Sequence, residues 1–334
     1  MGLIARNVAQ IKVAVAGLGK MGTAHLTCLM QLSKGIFEDY YKGAVQQQLA
    51  KIKICGLCDI AAKDLPDFKA VPFFTDFEQM LVQTKPDILI IASPTATHFD
   101  FAKTALEKGI HTFVEKPLVT SKKQIDILAG IADKFNCRLM AGHVERYNPV
   151  AIKIVSMLRQ KQIMPISCSF RRVQRYDDRI PDDIIIDKVI HNLDLALYFF
   201  GSIESVRLND VKKIGDKIFQ ADIEFCHING VKVRSFVSWL IESDEKIRQV
   251  SIQCRKHMLF GDFLTKKLML DSTELQCAVP GWILPANNQI KDELVDFILY
   301  CSEPAGEIIK PLLTIEDIIE SAKWLENIVN QTKP

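Results

Sequence analysis

The sequence predicts an α/β protein: a doubly wound parallel sheet at the N-terminus, then an α+β domain built on an open, mostly antiparallel sheet. Three observations predict it. A glycine-rich turn, Gly17 to Gly22, directly follows an apolar strand and opens a helix. Strand and helix patterns then alternate with short loops as far as Gly142, and repeated β-α-β units build parallel sheets. Beyond that point strand follows strand with few helices between them, the pattern of an antiparallel sheet.

Composition bounds the reading. The 334 residues are enough for about two domains. Apolar residues make up 48% and charged residues 25%, ordinary for a globular chain. A net charge of +2 gives no general pull toward nucleic acid or membrane. No apolar run reaches the roughly 18 residues of a membrane span, and Met1 to Gln10 lacks the apolar core of a secretory signal. The nine cysteines are scattered and odd in number, which fits free thiols in a reducing cytoplasm. Cys55 and Cys58 form the one C-x-x-C, inside a strand and without a second pair, so no metal is expected.

Taken in order, Ile11 to Ala16 is almost wholly apolar, as a strand covered on both faces should be. Gly17-Leu18-Gly19-Lys20-Met21-Gly22 follows, with a helix to about Leu32. This is G-x-G-x-x-G in its strand–turn–helix setting, the dinucleotide fingerprint of a Rossmann domain. Gly17 serves the tight turn, Gly19 lets backbone approach a pyrophosphate, and Gly22 lets helix and strand pack. The helix N-terminus, with Lys20 and Met21, faces the phosphates. Ser33 to Ala50, with Phe37, Tyr40 and Tyr41, reads as an insertion. The strand Ile52 to Cys58 then ends in Asp59, placed to accept from the adenosine ribose hydroxyls. No arginine follows in Ile60-Ala61-Ala62, which argues for NAD over NADP.

The alternation continues with a helix at Phe77 to Gln83, a strand at Asp87 to Ala92 and the loop Ser93-Pro94-Thr95. His98 reads as a capping or packing residue beside the cofactor loop, ahead of a helix from Phe99 to Lys108. Ile110 to Val114 is a short buried strand, and Glu115-Lys116-Pro117 follows abruptly. Opposite charges at the carboxyl end of a buried strand need a cleft to face, and that sheet edge is where ligands bind. A helix at Ser121 to Asn136 and a strand at Arg138 to Ala141 complete residues 1–142 as the NAD-binding domain.

Residues 143–334 read as the substrate and oligomerisation domain. A helix is expected at Pro149 to Arg159. Strands are expected at Ile166 to Gln174, Ile203 to Asn209, Phe219 to Cys226, Val231 to Trp239, Arg248 to Arg255 and Lys267 to Leu270. Gln289 to Cys301 and Ile315 to Asn327 are closing amphipathic helices. The sheet leaves one broad face to be covered, which fits subunit pairing. Ile184 to Gly201 reads as one helix, with Asp187, His191, Asp194 and Tyr198 forming a polar stripe. A carboxylate one turn from an imidazole can orient it, so Asp187 and His191 are read as a proton-transfer pair. Arg171, Arg172, Arg175 and Arg179 cluster just before it, with Arg146 upstream. Such a cluster suits a pyrophosphate, or is a solvated basic strand and loop.

These motifs resemble the glucose-fructose oxidoreductase / inositol dehydrogenase (Gfo/Idh/MocA) family: the glycine turn, Ser93-Pro94 with His98, Glu115-Lys116-Pro117, and D-x-x-x-H-x-x-D at Asp187, His191 and Asp194. The resemblance implies an NAD enzyme that pairs as a homodimer or homotetramer. It implies catalytic roles for Lys116, Asp187 and His191, and a cis peptide between Lys116 and Pro117. Lys188 departs from the family's usual small or apolar residue. Within the family, Gly142 to Pro149, Val237 to Leu240 and Gly261 to Thr265 look like the UDP-N-acetylglucosamine 3-dehydrogenases. That likeness implies a nucleotide-sugar substrate touching Arg146, Tyr147, Asn148, Arg175 and Arg179. It also implies a 3-keto product for later transamination, as in lipopolysaccharide sugar synthesis. A polyol or inositol dehydrogenase, an NAD-dependent glycoside hydrolase and a non-catalytic dinucleotide sensor are the alternatives.

Overall fold

A computed structural model describes residues 10–36, 43–61, 64–277, 288–302 and 311–333. Phe37, Tyr40, Tyr41, Ala62 and most of the Met1 to Gln10 stretch lie outside the described residues. Two compact units emerge. One gathers Met1–Leu118, Asp126–Gly142 and Ile290–Leu312; the other gathers Val119–Ile125, His143–Gln289 and Leu313–Pro334. The chain thus changes unit at Gly142 and sends Ile290–Leu312 back to the first, which one cut in sequence does not describe.

The first unit holds a six-stranded parallel sheet in the order β3-β2-β1-β4-β5-β6. Its strands are β1 (Ile11–Ala16), β2 (Ile52–Cys58), β3 (Phe73–Phe74), β4 (Ile88–Ile91), β5 (His111–Glu115) and β6 (Leu139–Gly142). Val13 to Ala16 and Ile88 to Ile91 are buried throughout, as the continuous apolar runs require. The helices α1 (Lys20–Ser33), α2 (Ala44–Leu49), α3 (Phe77–Thr84), α4 (Thr95–Glu107) and α5 (Lys122–Lys134) alternate with the strands. Helix α4 starts four residues before the expected Phe99, because Pro94 fits a helix entry and the polar Thr95 to His98 turn lacks an apolar signal.

The second unit opens with α6 (Pro149–Arg159) and carries α7 (Ile190–Phe200). Eight strands follow the order β14-β13-β12-β11-β7-β10-β9-β8. They are β7 (Pro165–Val173), β8 (Ile203–Ile214), β9 (Lys217–His227), β10 (Lys232–Ser238), β11 (Ile247–Cys254), β12 (Met258–Asp262), β13 (Lys267–Leu270) and β14 (Thr273–Leu275). All pairings are antiparallel except β7 with β10. Phe170, Ile223, Phe225, Val233 and Ile252 of the sheet share one apolar core with Ile154 of α6, Leu193 and Leu197 of α7, and Leu325 of the last helix. The closing helices are α8 (Gln289–Ser302) and α9 (Ile315–Gln331). Helix α8 differs from the expected amphipathic element: Leu294 and Phe297 are buried, but so are Lys291, Asp292, Glu293 and Asp296.

The single helix expected from Ile184 is two pieces. Ile185–Val189 is π-helical, and α7 follows. Such wide turns commonly sit at functional positions. Asp183 accepts from the amides of Ile185 and Ile186 at 2.8 and 3.2 Å. The capping task that could have explained Asp187 therefore falls to Asp183.

Candidate active site

In the first unit the loops after β1, β2, β4 and β5 lie along one sheet edge, where the strand order reverses between β1 and β4. That reversal is the place where open α/β sheets bind ligands. Gly17 has φ +87°, and a Cβ there would lie 2.3 Å from the Ser93 amide nitrogen. Only glycine allows that turn and that approach. A Cβ on Gly22 would meet the Gly17 carbonyl oxygen at 1.8 Å, so α1 and the end of β1 pack backbone to backbone. At Gly19 a Cβ would meet no atom within 4 Å. Gly19 is the N-cap of α1 and no side chain caps that end, with Lys20 and Met21 in the first turn. Open space before uncapped helix amides fits a pyrophosphate.

Asp59 holds this turn as well as facing it. Its Oδ2 accepts from the Leu18 amide at 2.7 Å and its Oδ1 from the Ala61 amide at 3.0 Å. Each carboxylate oxygen keeps a second lone pair for a ribose hydroxyl. Behind it, burial and then the charges of Asp59 and Asp76 push the Cys58 thiol up to about 11, so it is no nucleophile. All nine cysteines are free thiols.

His98 is buried, with Nδ1 2.9 Å from the Pro117 carbonyl oxygen and Nε2 2.8 Å from that of Ser93. It ties the Ser93 loop to the turn after Lys116. Ser93 Oγ also meets Thr97 Oγ1 at 2.6 Å, while Pro94 and Thr95 form the entry of α4. The Lys116–Pro117 peptide is cis, as the family resemblance implied. Glu115 is buried, its Oε1 2.6 Å from His25 Nε2 and its Oε2 3.2 Å from the Lys116 amide. Burial pushes this carboxyl up, but the His25 hydrogen bond and charge, then Lys116, hold it below the usual range. Gly17, Gly19, Gly22, Asp59, Ser93, His98, Glu115 and Lys116 are thus linked along one edge.

In the second unit several residues expected to touch a ligand also have partners within the protein. Arg146 is buried: its Nη2 meets Asp194 at 2.8 Å, its Nη1 meets Asp317 at 2.8 Å, and the guanidinium stacks 4.8 Å from the Tyr198 ring. Asp194 and Tyr198 of the polar stripe therefore partner Arg146. Burial alone would push that guanidinium down; the two carboxylates hold it fully charged. Tyr147 is buried as core, and Asn148 caps α6 through Val150 and donates to the Phe263 carbonyl at 3.0 Å. These three residues build the unit, where a substrate contact was expected.

The arginine cluster also divides. Arg172 is buried, pairs with Glu145 at 3.0 Å and reaches Asn192, while Arg248 meets the same Glu145 at 3.2 Å. Burial pushes Glu145 up, but the two arginines hold it below the ordinary 4.5. Arg171, Arg175 and Arg179 are exposed; Arg175 meets Asp244 at 3.4 Å and Arg179 meets Asp177 at 2.7 Å. Exposed pairs of this kind are weak and can yield to a ligand. Asp187 lies in the π turn with Lys188 Nζ 3.1 Å away, and His191 is buried on the first turn of α7. His25, Glu145, Asn192 and Glu293 were not singled out in the sequence. His25 was legible as a histidine on the apolar stripe of Leu26, Leu29 and Leu32.

A sheet-edge glycine cradle with a lysine on the same edge defines an NAD-binding oxidoreductase. Residues 11–143 match the family described as "Oxidoreductase family, NAD-binding Rossmann fold". Over this N-terminal stretch the chain is similar to the Gfo/Idh/MocA family. It is 26% identical over 291 residues to the UDP-N-acetylglucosamine 3-dehydrogenase of Acidithiobacillus ferrooxidans, covering 86% of this chain and 83% of the relative. A solved structure of that enzyme matches with a TM-score of 0.76 at 22% identity, over 96% of this chain and 97% of the other. An oxidoreductase from Agrobacterium radiobacter, solved with NAD+, L-tartaric acid and magnesium, matches with a TM-score of 0.76 at 16% identity, over 95% of each chain. At those identities the structural likeness speaks for the fold.

Proposed function

We propose that the chain oxidises the 3-hydroxyl of UDP-N-acetylglucosamine to a ketone, supplying a 3-keto nucleotide sugar to a later transamination. The observation that carries the reaction type is Lys116, which leaves the carboxyl end of β5 on the edge that holds the glycine cradle. The sugar is inferred from the likeness to the relative named above. Bound NAD supplies the hydride acceptor. Gly19 and the first amides of α1 seat its phosphates, on a turn that Gly17 and Gly22 make possible, and Asp59 holds its ribose. In this reading His191 takes the hydroxyl proton as general base, Lys116 stabilises the developing oxyanion, and Asp187 orients His191 while Lys188 balances its charge. The exposed Arg175 and Arg179 receive the pyrophosphate. The protein works in the cytoplasm as a homo-oligomer paired through its large sheet.

One observation favours a second reading, a free polyol dehydrogenase. Arg172, the central member of the arginine cluster, is committed to Glu145, so fewer cations face a ligand than the sequence promised. Calorimetry with UDP separates the two. Binding that weakens with salt supports a nucleotide sugar, and no heat at low salt supports the polyol.

A further inference from the structure

Helix α8 brings into the first unit a group that the proposed chemistry does not use. Glu293 is fully buried, and among the described residues neither of its carboxyl oxygens has a hydrogen-bond partner. An oxygen of Glu293, an oxygen of Glu115 and a ring nitrogen of His25 lie within 4.8 Å of one another. The three come from α8, β5 and α1. They also close around the backbone: a Cβ on Gly142 of β6 would sit 3.2 Å from Glu115 Oε2. Glu115 passes the contact on, because the same Oε2 accepts from the Lys116 amide.

We propose that Glu293 is a neutral carboxylic acid, and that His25, Glu115 and Glu293 form one positioning unit that fixes Glu115 and through it the backbone of Lys116. The charges that bear most on Glu293 are those of carboxyls, with cationic groups beside them. Glu115 stands across from it and Asp292 and Asp296 flank it on α8; His25 is bonded to Glu115, Lys116 adjoins Glu115, and Lys291 lies on α8. Burial, then Glu115, Asp292 and Asp296, push the Glu293 carboxyl well above 4.5, whereas Glu115 is held below its usual range. Neighbouring carboxyls driven apart in this way divide into an acid and a base. A cation between the three donors is the competing arrangement. The 2.6 Å separation of His25 Nε2 and Glu115 Oε1 is a hydrogen-bond length and leaves no room for an ion between that pair.

The proton and the positioning are tested separately, because only the second rests on the role proposed for Lys116. Infrared difference spectra of apoprotein at neutral pH should show a protonated carboxyl band that Glu293→Gln lacks. A carboxyl with a raised folded pKa contributes stability that is present below 4.5 and lost as pH rises through the raised value. The melting temperature of Glu293→Gln should therefore gain on that of the parent as pH rises. If Glu293→Gln does not fold, Glu293→Met takes its place in both measurements. A missing band with a pH-independent melting difference overturns the neutral acid. A stoichiometric metal whose chelation lowers the melting temperature overturns it in favour of a cation site. For positioning, His25→Leu should lower kcat by up to about 10²-fold with NAD affinity kept, and His25→Gln should recover part of the loss. Normal kcat in both His25→Leu and Glu115→Gln, with Lys116→Met inactive, overturns the positioning role. Turnover retained in Lys116→Met counts against the proposed function instead, and the infrared and melting results still decide the state of Glu293.

Discussion

Two glycines of one motif make different demands on the residue at their position. Gly22 is needed by packing, since any Cβ would press on the Gly17 carbonyl; Gly19 borders open space. Gly22→Ala should destabilise the apoprotein by about 1–3 kcal/mol, seen in denaturant unfolding. Gly19→Ala should leave apoprotein unfolding unchanged and weaken NAD binding at least about tenfold by calorimetry. Equal unfolding losses in the two variants would mean that Gly19 serves the fold alone. Asp59→Ser loses both the proposed ribose acceptor and the hold on the Leu18 amide. It should narrow the preference for NAD over NADP, and kcat/KM with each cofactor measures that. Arg146 is the opposite kind of residue, a buried charge paired with Asp194 and Asp317. Arg146→Leu should cost about 3–5 kcal/mol, because the buried Asp194 loses its guanidinium partner and keeps the more distant His143 Nδ1 at 3.6 Å.

At the scale of elements, the buried network of the second unit predicts an acid limit. Glu145 is held below 4.5 by Arg172 and Arg248, so its contribution is present above 4.5 and lost as pH falls through its lowered value. Glu145→Gln should lower the melting temperature at neutral pH and flatten its acid limb. Elements were legible in the sequence where period and punctuation agreed. Val13 to Ala16, the glycine turn and Pro149–Arg159 carry their own signals in apolar runs, glycine and an Asn148–Pro149 helix start. The short strands β3, β12 and β14 were missed, because two to five residues with exposed positions have no readable alternation. The π turn was missed because helical spacing assumes a constant rise. The buried pairing of Arg146 and Arg172 was not legible for a related reason. A sequence shows charges, but not the acids from distant elements, Asp317 or Glu145, that take them.

At the scale of the molecule, the proposed reaction needs Lys116 and His191 to serve one hydroxyl. A base and an oxyanion stabiliser act on the barrier, and losing the base typically costs about 10²–10⁴-fold. Groups that serve one proton transfer are non-additive, so the double variant should lose far less than the product of the single losses. The most direct measurement is single-turnover formation of NADH from NAD and UDP-N-acetylglucosamine by the parent, Lys116→Met, His191→Asn and the double variant, with NAD affinity measured beside it. The expected result is rapid reduction in the parent, a large rate loss with NAD affinity kept in each single variant, and little further loss in the double. Near-normal turnover in either folded single variant would contradict it.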